Sequence, residues 1–188
     1  MHKRTLCLIL PFSLLATAPA WAGEARIEAR TGYVETNLRV GRVGSLDTGT
    51  GANIGAALGY DFDLGKNLFI GPEASVDFTT AQRNVLGARV SNARQFTLAA
   101  RFGVKIGNDV KLYLLGGIAN SRGRLDQVTH TENGGVGAIG LEYSISKRVF
   151  VKAESRYIAT RFDVGGLNNL GRTTFKDRRF LTGVGFRF

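Results

Sequence analysis

The sequence predicts an all-β fold: an eight-stranded antiparallel up-and-down β-barrel that spans a membrane. Three observations predict it. Apolar and polar residues alternate with period two in segment after segment. The connections between these segments alternate between short turns and long polar stretches. The polar parity of the strands carries glycine and charges of both signs, and the apolar parity carries aromatics near the strand ends.

The N-terminus directs the chain out of the cytoplasm. "MHKR" is a basic start, "TLCLILPFSLLATAPAWA" is apolar and ends in small residues, and Ala20-Trp21-Ala22 has the pattern of a cleavage site. This is the plan of a secretory signal peptide over residues 1–22, leaving 23–188 as one barrel domain. The apolar part is broken by Pro11 and is shorter than the ~20 residues a spanning helix needs. Cys7, the only cysteine, lies inside this signal, which excludes disulfide, thiol and cysteine–metal chemistry from the mature chain. Without Lys3 and Arg4, 23 Lys and Arg face 15 Asp and Glu, a net charge of about +8. Such a charge suits an anionic partner. For an exported chain that is a membrane surface rather than nucleic acid.

Five strands read clearly. "NIGAALGYDF" sets Ile54, Ala56, Leu58, Tyr60 and Phe62 against Asn53, Gly55, Ala57, Gly59 and Asp61. "FIGPEASVDF" sets Ile70, Pro72, Ala74, Val76 and Phe78 against Gly71, Glu73, Ser75 and Asp77. "TLAARFGVKI" sets Leu98, Ala100, Phe102, Val104 and Ile106 against Ala99, Arg101, Gly103 and Lys105. "GAIGLEYSI" sets Ile139, Leu141, Tyr143 and Ile145 against Gly140 and Glu142. "VFVKAESRY" sets Val149, Val151, Ala153, Ser155 and Tyr157 against Phe150, Lys152, Glu154 and Arg156. The stretch 27–40 alternates only at its start, and 110–120 has apolar residues on both parities, so its facing stays open. The closing "RRFLTGVGFRF" is the eighth strand, with Phe180, Val184, Phe186 and Phe188 on the apolar parity and Arg179, Gly183, Gly185 and Arg187 on the other. "DLGKN", "GND" and "SISK" are tight turns. Long polar loops are expected around 41–51, 79–94, 121–134 and 160–175.

In a soluble barrel the apolar parity would line a cavity. Here Glu73, Arg101, Glu142, Lys152, Glu154 and Arg156 lie mid-strand among glycines, so the charged face fits a narrow interior and the apolar face fits lipid. An eight-stranded interior is only wide enough for side chains to fill it. Unpaired charges there are costly, so these six are expected to pair, with Arg30 and Asp77 as further members, and to make the barrel a plug. A wet lumen with solvated charges is the alternative.

"GLEYSISKRVFVKAESRY" resembles the sixth-to-seventh strand hairpin of small OmpA- and OmpX-like barrels. "GPEASVDF", "ARFGVKI" and "LTGVGFRF" resemble their third, fourth and terminal strands, with Glu73 and Arg101 at inward positions. The whole mature stretch is similar to the "porin family" of outer membrane β-barrel proteins. The resemblance implies an inner salt-bridge network, the outer membrane as location and outer-membrane lipid as surroundings. A stripe ending on Phe188 resembles the signal read by the outer-membrane assembly machinery. No further domain is expected after the barrel, and the chain is expected to be a monomer.

The long stretches carry much of the excess charge. Arg83, Arg89, Arg94, Arg122, Arg124, Arg161, Arg172, Lys176 and Arg178 form a candidate collar for lipopolysaccharide phosphates, with Arg83, Arg89, Arg122, Arg124, Arg172 and Lys176 its foremost members, since guanidinium forks suit phosphate oxygens. The alternative is generic solvated charge. One histidine remains in the mature chain, His130 in "DQVTHTEN", near Asp126, Thr129, Thr131 and Glu132. A lipid-modifying enzyme would need such a base beside a nucleophile, but no nucleophile or metal-ligand spacing accompanies it. "GGVGAIG" lacks the strand–turn–helix context of a nucleotide loop, and its glycines read as thin interior positions. No catalytic residue, metal or cofactor is expected. The expected role is structural or interactional, in envelope integrity or adhesion; a narrow pore and a lipid-modifying enzyme are the alternatives.

Overall fold

The computed structural model describes residues 23–40, 44–80, 82–85, 88–125, 128–162 and 173–188. The expected signal peptide lies outside them. Among the described residues there are nine strands: β1 (Gly23–Val40), β2 (Gly44–Leu64), β3 (Leu68–Thr79), β4 (Gln82–Val85), β5 (Ala88–Ile106), β6 (Val110–Leu125), β7 (Val128–Ser144), β8 (Val149–Phe162) and β9 (Thr173–Arg187). All pairings are antiparallel. β1 pairs with both β2 and β9, and β3 pairs with both β2 and β5, so the sheet closes. Eight strands are the staves of this barrel. The short β4 continues the line of β3 beyond Thr80, pairing with the outer end of β5 as the far arm of that hairpin.

Closure is what allows the backbone to enter hydrocarbon, because every peptide group then finds its partner on a neighbour. The alternation then decides the facing. Ile54 (65 % exposed), Leu58, Leu98 and Phe180 point outward, and Glu73, Arg101, Glu142 and Arg156 point into the lumen. On β1 the inward set is Arg26, Glu28, Arg30, Val34 and Thr36. On β6 it is Lys111, Tyr113, Leu115 and Ala119, while Leu112, Leu114 and Ile118 face out. The lumen is thus not wholly polar. Phe69, Ala99, Tyr113, Leu115, Ala119, Val136 and Ile158 form an internal apolar cluster.

Two expectations are corrected. The long polar loops are in good part strand: β2 begins at Gly44, β6 runs to Leu125 and β7 starts at Val128. A spanning strand needs ~9–11 residues, so hairpins of this length carry their ladders on beyond the bilayer. Polarity there reports the solvent around the side chains, not a break in the backbone pairing. Residues 163–172 lie outside the described set. The second correction concerns "GGVGAIG". Gly134 and Gly140 face inward, but an added Cβ at Gly135 meets open space and Gly137 likewise stands on the outer face.

Interior aromatics are accommodated by glycine on adjacent strands. A Cβ on Gly140 would collide with the Tyr113 ring, and one on Gly185 with the Phe150 ring. At the tight turns Gly65 (φ 86°) and Gly107 (φ 64°) adopt the left-handed backbone that other residues resist.

Candidate functional site: the charged lumen

Three strands supply the centre of the lumen. β1 contributes Arg26, Glu28 and Arg30, β3 contributes Glu73 and Asp77, and β8 contributes Lys152, Glu154 and Arg156. Members of each set are two or four residues apart, and an even spacing puts them all on one face of their strand.

Six of these side chains close a ring. Arg26 Nη2 donates to Glu73 Oε2 at 2.7 Å. Glu73 Oε1 accepts from Arg156 Nη2 at 3.0 Å. Arg156 Nε donates to Glu154 Oε1 at 2.7 Å, and Lys152 Nζ donates to Glu154 Oε2 at 3.2 Å. Lys152 Nζ lies 2.6 Å from Glu28 Oε1, and Arg26 Nη1 closes the circuit on Glu28 Oε2 at 3.3 Å. No side chain in the ring is more than 1 % exposed. Tyr113 adds its hydroxyl to Glu154 at 2.7 Å.

Layers flank the ring on either side. Toward the long hairpins, Arg30 grips Asp77 with two nitrogens, Nε at 2.9 Å. Asn53 Nδ2 donates to Asp77 at 3.0 Å, and Arg179 Nη1 donates to Asn53 Oδ1 at 3.3 Å. Toward the short turns, Glu142 lies 2.7 Å from Arg101 Nη1 and accepts from Arg187 Nη2 at 3.2 Å. Lys111 Nζ donates to Glu24 at 2.7 Å and to Asp61 at 3.3 Å, and Asp61 lies 3.5 Å from Arg26 Nε, which links this layer to the ring. The Arg101 guanidinium also stacks on Tyr113, 3.8 Å from the ring centroid, a contact strengthened by desolvation.

Among the described residues the buried set holds eight cations and seven carboxylates, with Glu24 half-buried at the rim. The lumen is therefore close to neutral. Nearly all of the excess positive charge belongs to the rims and hairpins.

Of the residues singled out in the sequence, Glu73, Glu154, Lys152 and Arg156 meet in the ring, while Arg101 and Glu142 meet each other in the layer below. Arg26, Glu28, Asp61, Lys111, Tyr113 and Arg187 complete these layers. Parity marked Arg187, and the Arg26–Glu28 pair continues the same parity backward from Arg30. Tyr113 had no such signal, since both parities of β6 are apolar. Of the collar candidates, Arg122 is exposed and Lys176 is half-buried. The side chains of Arg83, Arg89 and Arg124, and all of Arg172, lie outside the described residues. His130 pairs with Gly123 along the β6–β7 ladder, and its side chain also lies outside them. Among the described residues no group of three His, Cys, Asp or Glu could hold a metal ion.

The sequence profile of the outer membrane protein beta-barrel domain matches residues 8–188. The chain belongs to the outer membrane protein beta-barrel family. It is a bacterial outer-membrane protein, and its structural relatives are small barrels of the same membrane. Ail, the attachment invasion locus protein of Yersinia pestis, superposes with a TM-score of 0.52 at 15 % identity, covering 88 % of this chain and 99 % of that one. Neisserial surface protein A superposes at 0.53 with 14 % identity, covering 86 % and 97 %. OprG of Pseudomonas aeruginosa superposes at 0.51 with 11 % identity, covering 89 % and 97 %. At these identities the likeness is one of fold. A comparison with curated protein sequences returns no match.

Proposed function

We propose that this family member is a sealed anchor: a barrel whose lumen is closed by ion pairs and whose long hairpins meet partners at the cell surface. The cyclic Glu73–Arg26–Glu28–Lys152–Glu154–Arg156 contact supports the seal, because it joins three staves across the interior with every side chain buried. A solute would have to break several charge-assisted bonds at once to pass. In planar bilayers the purified protein is expected to show no stable single-channel current; large, steady conductances would refute the seal and favour a pore.

The surface role rests on the outer hairpins and their charge. Beyond the exposed aromatics Phe78 and Phe96, the outer hairpins carry a clear excess of arginine and lysine over acids, which suits phosphate or sulfate groups. Ail has been crystallised with the heparin analogue sucrose octasulfate, and that structure superposes on this chain with a TM-score of 0.54. A collar including Arg83, Arg89, Arg122, Arg124, Arg172 and Lys176 meeting lipopolysaccharide phosphates is the partner reading that this charge supports. A catalytic role has less to stand on, since the sequence around His130 carries no nucleophile motif of a lipid-modifying enzyme.

The outward stripe of Phe180, Val184, Phe186 and Phe188 is proposed as the segment that the assembly machinery reads. Phe188 is 80 % exposed, and its N–H donates to Ala25 at the closing seam. Deleting Phe188 should lower the folded fraction in outer-membrane preparations, scored by heat-modifiable gel migration. Undiminished insertion would count against this role.

A further inference from the structure

One rung of the outer face places two cations against each other. Arg94 on β5 is paired directly with Arg122 on β6. Directly opposed residues share a face, and Phe96, two residues along from Arg94, points outward, as does Ile118 on β6. Both arginines therefore stand on the lipid side. Like charges in directly opposed positions repel and destabilise a sheet. No carboxylate among the described residues pairs with either of them. Arg178, by comparison, has Glu35 across the β1–β9 ladder. The register shifts between Asn92 and Arg94, and such bulges re-aim the side chains beside them. The Arg94 guanidinium is turned over the Phe96 ring, 4.5 Å from its centroid, and its buried Nε has no hydrogen-bond partner.

The height of the pair matters as much as its charge. Phe96, and Phe78 at the end of β3, belong to the outer aromatic belt, which marks the boundary between hydrocarbon and head groups. Arg94 and Arg122 sit one step beyond that belt. Four to six residues in the other direction, about 14–20 Å along the strand, the barrel wall has an apolar depression of about 610 Å³ lined by Ile70, Pro72, Leu98, Ala100 and Ile118. Gly116, beside Ala100 in the β5–β6 ladder, leaves open space where a Cβ would stand.

We propose that Arg94 and Arg122 clamp the phosphate of a phosphorylated acyl lipid in the outer leaflet, with an acyl chain lying along Phe96 into the depression below. The dianion removes the repulsion between the guanidiniums, and each fork offers paired donors to phosphate oxygens. The clamp rests on the reading that the outer hairpins meet phosphorylated glycolipid, and it locates one defined site for that lipid on the barrel wall.

The test uses the full chain in nanodiscs of uncharged phospholipid, titrated with lipid A and with enzymatically dephosphorylated lipid A. The wild-type protein should prefer the phosphorylated form. The R94Q/R122Q double variant should lose that preference by at least about tenfold in affinity, while R94K/R122K retains part of it. Heat-modifiable migration of each variant shows that the barrel is intact. If R94Q/R122Q binds like wild type while a variant neutralised at Arg83, Arg89, Arg124 and Arg172 loses affinity, the clamp is wrong and the collar reading stands. If wild type does not distinguish the two lipids, both fail. If inorganic phosphate displaces the lipid at matched phosphate concentration, the pair is a free-anion site and the lipid proposal is overturned.

Discussion

Replacing Glu73 by alanine is expected to destabilise the barrel by about 3–5 kcal/mol, the usual cost of removing one partner from a buried charge pair. Glu73 is fully buried and contacts three guanidiniums: Arg26 at 2.7 Å, Arg156 at 3.0 Å and Arg30 at 3.6 Å. Its loss leaves an uncompensated positive cluster in a lumen with no room for a full hydration shell. The ring as a whole need not add much net stability, because desolvation offsets most of the Coulombic gain. The penalty comes from leaving it incomplete. Two corollaries follow. Glu73→Gln, which keeps an acceptor but not the charge, should fall between wild type and alanine. Adding Arg156→Met to Glu73→Ala should recover part of the loss, a coupling that a double-mutant cycle reads directly. Equilibrium urea unfolding in lipid vesicles is the measurement, and a loss under about 1 kcal/mol for Glu73→Ala would mean that water fills the gap.

The second large effect belongs to the outer wall. Leu114→Arg should cost about 2–4 kcal/mol if the residue faces mid-bilayer lipid. Leu114 is 59 % exposed on the outside of β6, and its neighbour Leu115 is 4 % exposed and faces inward. Reversible unfolding in vesicles again provides the number. A cost near zero would mean that the facing of β6 is inverted, since an arginine pointing into the lumen could join the carboxylates there.

That strand also shows where the sequence stopped being readable. β2, β3, β5, β8 and β9 present readable alternation because most of their inward residues are charged, small or amide, with Phe69, Phe150, Ile158 and Leu181 as the inward apolar exceptions. β6 places Tyr113 and Leu115 inward, where they pack with Phe69, Val136 and Ile158. The lumen accepts apolar side chains wherever charges are not needed to fill it, and two apolar faces look alike in sequence. The same limit explains why charges assigned to one face could not be assigned to partners. Which carboxylate meets which cation depends on the stagger between strands that are not sequence neighbours. Arg101 stands near Glu142 and Arg187 rather than Glu73 for that reason. Loop boundaries failed differently. Serine, asparagine and arginine mark the exit from hydrocarbon, but a hydrogen-bonded ladder continues through water as readily as through lipid.

The ring of ion pairs has a consequence for how the molecule comes into being. The bonds that carry it from strand to strand include ones between residues 47 and 83 positions apart in sequence, and the β1–β9 seam brings Arg26 opposite Arg187. None of these contacts can form in a lone hairpin. A half-inserted chain would hold unmatched cations and carboxylates against acyl chains, at a cost of several kcal/mol apiece, and loop closure would still lie ahead. Strand-by-strand entry into the membrane is therefore uphill until the last stave arrives. Such a protein should fold late and all at once, and should need a chaperoned, water-accessible seam to wait in until it does.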